Sequence, residues 1–273
     1  MKKYWEVKAK ANKTGELLLY GNISSDSFWG DEITPKTIDA ELKALGEINT
    51  LNVYVNSGGG SVFAGQAIFN IIKRHSASVK NAYVDGLAGS IASIIPMACD
   101  KVFMPSNAMM MIHNPSMVAR GFSTDLRKAA DMLDKVRDVL VGVYVEKSGQ
   151  DEAKMASLMD AETWLSAKEA IALGLADELQ AEVKIAASID GNFLNFGDVK
   201  VDTSLFRNFK PDQIETYRAA EKAEPVSNKD NHTPSVTPEV IAKLHEEWEK
   251  TYVGRQAQNK EFYRIKNKIL GGQ

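Results

Sequence analysis

Between Leu17 and about Ala187, short β-rich apolar runs alternate with stretches in which apolar residues recur every three or four positions. A chain patterned this way has to bury its strands between layers of helix, which predicts an α/β core around a mostly parallel sheet. The first three strands fall at 17–20, 52–55 and 82–84, bounded by Gly, Asn or Asp. Between the first two, Thr34 is placed to cap a helix with Pro35 at its first position, Ile38, Leu42 and Leu45 on one face, and Gly46 at its end. A second helix carries Ala64, Ile68 and Ile72, and a third is expected from Ile91 to about Cys99 with Pro96 in its first turns. Strands at 101–104 and 108–113 follow, the second rich in Met that reads as core filler. A long amphipathic helix runs from Ser123 to about Lys147, and a shorter one opens on the capping box Ser166-Ala167-Lys168-Glu169 and stops at Gly174.

Beyond Asp190 the pattern weakens, and residues 220–238 are polar and contain proline, as linkers do. A last amphipathic stripe carries Ile241, Leu244, Trp248 and Tyr252. The expected division is a core domain over 1–189, an extension and polar linker over 190–238, and a C-terminal helix over 239–273. A net charge of −3, spread along the chain, provides no field for phosphate backbones, so nucleic acid is not an expected partner. No apolar run reaches the length of a membrane span and no apolar segment follows the basic N-terminus, which predicts a cytoplasmic protein without a membrane partner. The single cysteine, Cys99, has no partner for an intrachain disulfide, and no metal-binding spacing occurs, so neither metal nor cofactor is expected.

Four histidines supply the candidates for a base near neutral pH. His75 ends a helix after Lys73-Arg74, where a cation suits the helix dipole; His232 falls in the linker, and His245 on the exposed side of the last helix. His113 is different, because it ends an apolar strand and should emerge at the sheet edge where α/β folds place ligands. Ser90 lies in Ala88-Gly89-Ser90-Ile91-Ala92 between a strand and a helix, with small neighbours that permit a sharp turn exposing the hydroxyl. The same serine fits a simple helix cap. Ser93 competes with it, but one turn into the helix its hydroxyl should be buried. Gly58-Gly59-Gly60 lacks the Lys-Ser/Thr of a phosphate loop and suits an oxyanion hole, where N–H donors must approach closely, or else a tight strand-helix turn. Cys99 sits among apolar residues beside Asp100, which raises a thiol pKa and argues against a nucleophile.

Taken together, these segments resemble the ClpP family of serine peptidases, most of all the ClpP-like head-maturation proteases of phages and prophages. Asn56-Ser57-Gly58-Gly59-Gly60 with Gly65 resembles the family's Asn-Ser-Pro-Gly-Gly…Gly loop, with Gly58 in place of proline. Gly86-Leu87-Ala88-Gly89-Ser90-Ile91-Ala92 resembles its Gly-x-Ala-Ala-Ser-Met-Gly segment, and Met111-Ile112-His113-Asn114-Pro115 its Met-Ile-His-Gln-Pro. The resemblance covers about Leu17 to Leu179 and implies the ClpP/crotonase-like fold of repeated ββα units with a long handle helix, here with a C-terminal helical extension. It implies Ser90 as nucleophile, His113 as general base, and Gly60 and Ile91 as oxyanion-hole donors. The family's aspartate stands three residues before a Leu-Ser-Ala matched by Leu165-Ser166-Ala167, which puts Glu162 in that place, with Asp160 the second choice.

The same resemblance implies polypeptide substrates, with capsid or scaffold proteins expected for a head protease, and a homo-oligomeric ring, single or stacked in two, acting in the host cytoplasm or the prohead interior. Residues before Leu17 do not match the family's N-terminal segment, so action without an ATPase partner is expected. Three rivals stand beside this reading: a crotonase-like enzyme that uses the glycine loop on an acyl thioester, a Ser/Lys dyad that leaves His113 idle, and a structural ring or scaffold without turnover.

Overall fold

In a computed structural model, residues 5–27, 32–182, 187–190, 192–197 and 199–209 are described. The expected linker over 220–238, the helix over 239–273, and His232 and His245 lie outside the described residues. The chain opens with a hairpin of β1 (Trp5–Lys10) and β2 (Thr14–Tyr20), followed by α1 (Pro35–Ala44), β3 (Thr50–Ser57), α2 (Val62–Lys73) and β4 (Val79–Gly89). Next come β5 (Lys101–Pro105), β6 (Met109–Ile112), the long α3 (Ser123–Ser148), α4 (Glu152–Asp160), β7 (Thr163–Ser166), α5 (Ala167–Ala172) and β8 (Glu178–Gln180). A separate antiparallel sheet is made by β9 (Ala187–Asp190), β10 (Phe193–Phe196) and β11 (Val199–Asp202).

Eight strands form the main sheet in the order β1-β2-β3-β4-β5-β8, with β6 and β7 branching from β4. From β2 to β8 the neighbours are parallel, as strands linked through helices must be. Local chemistry explains the helix ends. The Thr34 hydroxyl accepts from Thr37 N–H at 3.3 Å ahead of Pro35, and Ser166 exchanges bonds with Glu169 in the expected capping box. Gly46 and Gly174 follow α1 and α5 at φ +68° and +77°, a backbone region that favours glycine.

Around Ser90 two segments depart from the sequence reading, and both shape the site. β4 does not stop at Val84 but runs to Gly89, because its ends take different partners: Asn81–Tyr83 pair with β5, and Leu87–Gly89 pair with β6. The helix expected from Ile91 to Cys99 is instead two 3-10 turns, Ser90–Ile94 and Pro96–Ala98. Pro96 has no N–H, and its ring collides with the carbonyl an α-helix would present, so Ile95 and Ala98 bond to the carbonyls three residues back.

The pattern that fades near Asp190 conceals β9–β11, and the boundary expected at residue 189 runs through β9. Leu194, Phe196, Val199 and Val201 from this small sheet are buried against Leu87, Met109, Met111 and Trp164 of the main sheet. Each such side chain contributes about 1.5–3 kcal/mol on burial. The sheet therefore belongs to the hydrophobic core behind the strand ends that carry Ser90 and His113.

Candidate active site

Strands β4 and β6 are parallel, with Gly89 opposite Met111, and both end at the same edge of the sheet. One residue beyond that register stands Ser90, and two beyond stands His113. Their side chains meet there, Ser90 Oγ lying 2.6 Å from His113 Nε2. Ser90 has φ +52°, in the left-handed region, so the chain turns sharply out of β4 and presents the hydroxyl, as a nucleophile elbow does. Ser93, the competing serine, is fully buried. Its hydroxyl donates to the Ser90 carbonyl and lies 2.7 Å from the buried Tyr144 hydroxyl of α3, so it braces the turn.

The glycine loop packs against this turn so closely that side chains are excluded. A Cβ on Gly59 would lie 2.7 Å from Ser90 Cβ, and one on Gly60 2.1 Å from the Ile23 carbonyl oxygen. Gly59 N–H donates to Ser57 Oγ at 3.1 Å, which fixes the start of the loop. Ile23 bridges to Gly60 through the Gly59 carbonyl and the Ser61 N–H, a pairing that turns the N–H of Gly60 itself to the other side. The N–H of Ile91 belongs to the first turn of a 3-10 segment, ahead of any acceptor within that turn. Both predicted oxyanion donors thus stand on segments packed against Ser90.

The two carboxylates separate clearly. Glu162 is 8% exposed and lines a cavity of about 290 Å³ together with His113, Leu133, Arg137, Arg207 and Asn208. Its oxygens accept from the backbone N–H groups of Arg207 at 2.8 Å and Asn208 at 2.9 Å, and the imidazole is not among their donors. Asp160 is instead committed to Arg137, at 2.8 Å, and to the Asn114 amide, also at 2.8 Å. Burial holds the His113 imidazole below its ordinary pKa; the nearby Glu162 charge opposes that effect and the Arg207 charge adds to it.

The other candidates fall outside this constellation. Cys99 is buried, and burial, with Asp100 beside it, pushes its thiol up to about 12, as the sequence indicated. His75 is structural in a different way from the one expected. Its Nδ1 accepts from Ala77 N–H at 3.1 Å and burial lowers its pKa, so it closes the end of α2 as a neutral ring rather than as a cation. Among the described residues, no cluster of three or more His, Cys, Asp or Glu side chains is arranged to hold a metal, and no helix is long and apolar enough to cross a membrane.

Sequence reasoning placed Asn56 in the glycine-loop motif but gave it no role; its buried amide accepts from Leu87 N–H and donates to the Phe196 carbonyl, both at 3.1 Å. The same reasoning missed Phe206, which meets the His113 ring edge-on at 5.8 Å between centroids. Phe196 lies on the hairpin of β10 and β11 and Phe206 just beyond it, and the Gly-Asp pair between two short apolar runs is the sequence signal for that hairpin.

Comparison with known proteins agrees with this geometry. Residues 9–183 match the model of the family described as Clp protease. An ATP-dependent Clp protease proteolytic subunit 2 of Treponema denticola is 32% identical over 170 residues, which cover 61% of this chain and 82% of that protein. A proteolytic subunit 1 of Protochlamydia amoebophila is 36% identical over 158 residues, covering 56% and 75%. The corresponding subunit of Streptococcus pneumoniae is 36% identical over 144 residues, covering 51% and 73%. The matched span exceeds half of the chain and contains both strand ends that carry Ser90 and His113, so this chain belongs to the Clp protease family.

Proposed function

We propose that the protein is a serine endopeptidase in which Ser90 is the nucleophile, His113 the general base and Glu162 the group that orients the imidazole. The observation that carries this reading is the 2.6 Å contact between Ser90 Oγ and His113 Nε2 at a left-handed turn. Nε2 takes the Ser90 proton as Oγ attacks the substrate carbonyl carbon, and the carbonyl oxygen becomes an oxyanion facing the Gly60 and Ile91 N–H groups. Such donors contribute about 3 kcal/mol each to the transition state. His113 then passes the proton to the leaving amine, and water repeats the sequence on the acyl-enzyme. For Nε2 to accept, the ring proton must sit on Nδ1, and a carboxylate beside that nitrogen stabilises the tautomer. Glu162 is favoured over Asp160 because its charge acts on His113, whereas Asp160 is held by Arg137.

A homo-oligomeric ring, single or double, is supported by α3. Of its 26 residues only Leu140, Val141 and Tyr144 are buried, while Leu126, Met132 and Val139 are exposed apolar residues along it. Action without an ATPase partner rests on the mismatch between the residues before Leu17 and the family's N-terminal segment. Head maturation, with capsid or scaffold proteins as substrates, rests on the resemblance of the three motifs to phage and prophage enzymes.

The test is intact-mass labelling with a fluorophosphonate. The wild type should gain one adduct and Ser90→Ala none. A crotonase-like enzyme or a structural ring would leave the wild type unlabelled, and that result would displace the peptidase reading.

A further inference from the structure

The family match ends at residue 183, yet the chain beyond it touches three parts of the site. At the carboxylate, the N–H groups of Arg207 and Asn208 take one oxygen of Glu162 each. The Asn208 side-chain amide also donates to the Ala161 carbonyl at 2.7 Å, gripping the backbone just before that glutamate. At the imidazole, Phe206 stands edge-on to His113 and is backed by Trp164 at 5.4 Å, with Phe209 on the same indole at 5.2 Å. At the glycine loop, Asn56 is tied to Phe196, and Val201 lies so close to Gly58 that a Cβ there would meet its methyl at 2.7 Å.

Residues 203–209 leave a hairpin packed as core, in which Leu194, Phe196, Val199 and Val201 are at most 7% exposed, and within 203–209 Thr203 is buried while Phe206 and Phe209 are half-buried against the site. Glu162 holds φ +49° as the residue just past the α4 C-cap, its N–H donating to the Met159 carbonyl at 3.1 Å, so its backbone is set by the helix end. The side chain is set by the segment that follows the small sheet: the two N–H groups hold its carboxylate and the Asn208 amide holds the Ala161 carbonyl ahead of it. They also explain why Glu162 keeps its place without a hydrogen bond from the imidazole.

We propose that residues 203–209 form a positioning strap of the active site, in which the Arg207 and Asn208 N–H groups fix the Glu162 carboxylate beside His113 and Phe206 walls the ring. Arg207 and Asn208 are positioning residues that act through Glu162, so the proposal rests on the peptidase reading above. Strap and glutamate form one unit, and losing either should have the same consequence.

The experiment follows the rate and pH profile of fluorophosphonate labelling in the intact chain. Asn208→Pro deletes one N–H donor and should slow labelling roughly tenfold, the loss expected for one hydrogen bond to a charged group. Asn208→Ala keeps the N–H and should recover most of that rate. Glu162→Gln should be slowed as well, and adding Asn208→Pro to it should slow it no further, because coupled residues do not add. The acid limb of Asn208→Pro should move in the same direction as that of Glu162→Gln. Labelling of Asn208→Pro at the wild-type rate or faster, or an additive loss in the double variant, overturns the strap while leaving Ser90 as nucleophile. An unlabelled wild type overturns the peptidase reading, and the strap's catalytic role with it. Should Asn208→Pro fail to fold, amide hydrogen exchange decides: Glu162→Ala should deprotect residues 207 and 208 selectively, and unchanged protection refutes the strap.

Discussion

On the proposed mechanism His113 has to be neutral to take the Ser90 proton, so the direction of its pKa would set the acid limit of the reaction. Burial holds that pKa below the ordinary value of 6.5, Glu162 pulls it up, and Arg207 pushes it down. The rate therefore rises with pH through a midpoint below 6.5 and is already near its plateau at neutral pH. Each neighbouring charge makes a signed prediction. Glu162→Gln removes the anion that favours imidazolium, so the midpoint falls further, together with the rate. Arg207→Gln removes the cation that disfavours it, so the midpoint rises. A fluorophosphonate labelling rate measured from pH 4 to 9 reads both, and movement of either midpoint in the opposite sense refutes the electrostatic assignment. The placement of Ser90 at a strand-end turn and of His113 at a neighbouring strand end was legible in the sequence because a serine among small residues and a histidine ending an apolar strand are both unusual. Glu162 was legible only through its spacing from Leu165-Ser166-Ala167, since its hydrogen-bond donors are backbone N–H groups, which any residue type supplies.

The turn at Ser90 is joined to the long helix by a short chain of hydroxyls. Ser93 donates to the Ser90 carbonyl, which leaves its oxygen to accept from the Tyr144 hydroxyl of α3. Tyr144 is almost wholly enclosed, so its O–H has no route to water. Ser93→Ala strands that donor and should cost about 1–3 kcal/mol. Tyr144→Phe removes the donor together with its need for a partner, and the double variant should be less destabilised than the sum of the single changes. Urea midpoints at constant m-value measure this, and strict additivity would show that the two hydroxyls are not coupled. At this scale the regular helices were the most readable, because Thr34, the Ser166–Glu169 box, Gly46 and Gly174 mark their ends chemically. The segment after Ser90 was misread as a helix because its residues are apolar throughout, and composition does not show which carbonyl Pro96 excludes. β4 was cut short because Asp85-Gly86 looks like a turn, whereas the strand continues by exchanging β5 for β6 as its neighbour.

For the described chain as a whole, the limit of the family match is not the limit of the fold. The match stops at 183, but Leu87, Met109, Met111 and Trp164 obtain their cover from Leu194, Phe196, Val199 and Val201. Four such side chains at about 1.5–3 kcal/mol each rival the roughly 5–15 kcal/mol net stability of an ordinary domain. A chain ending at Glu182 would also leave Asn56 without the Phe196 carbonyl and Glu162 without both of its N–H donors. The small sheet was hidden because its four-residue strands are too short to set a period, and the residues they cover, Leu87, Met109, Met111 and Trp164, lie in other elements earlier along the chain. We expect the chain ending at Glu182 to lose cooperative unfolding in urea and to take no fluorophosphonate adduct. A chain ending at Phe209 keeps every contact described and should unfold cooperatively and label at Ser90. Cooperative unfolding of the shorter chain, with labelling at the full-length rate, would make β9–β11 an appendage and would separate the catalytic edge from the core that we place behind it.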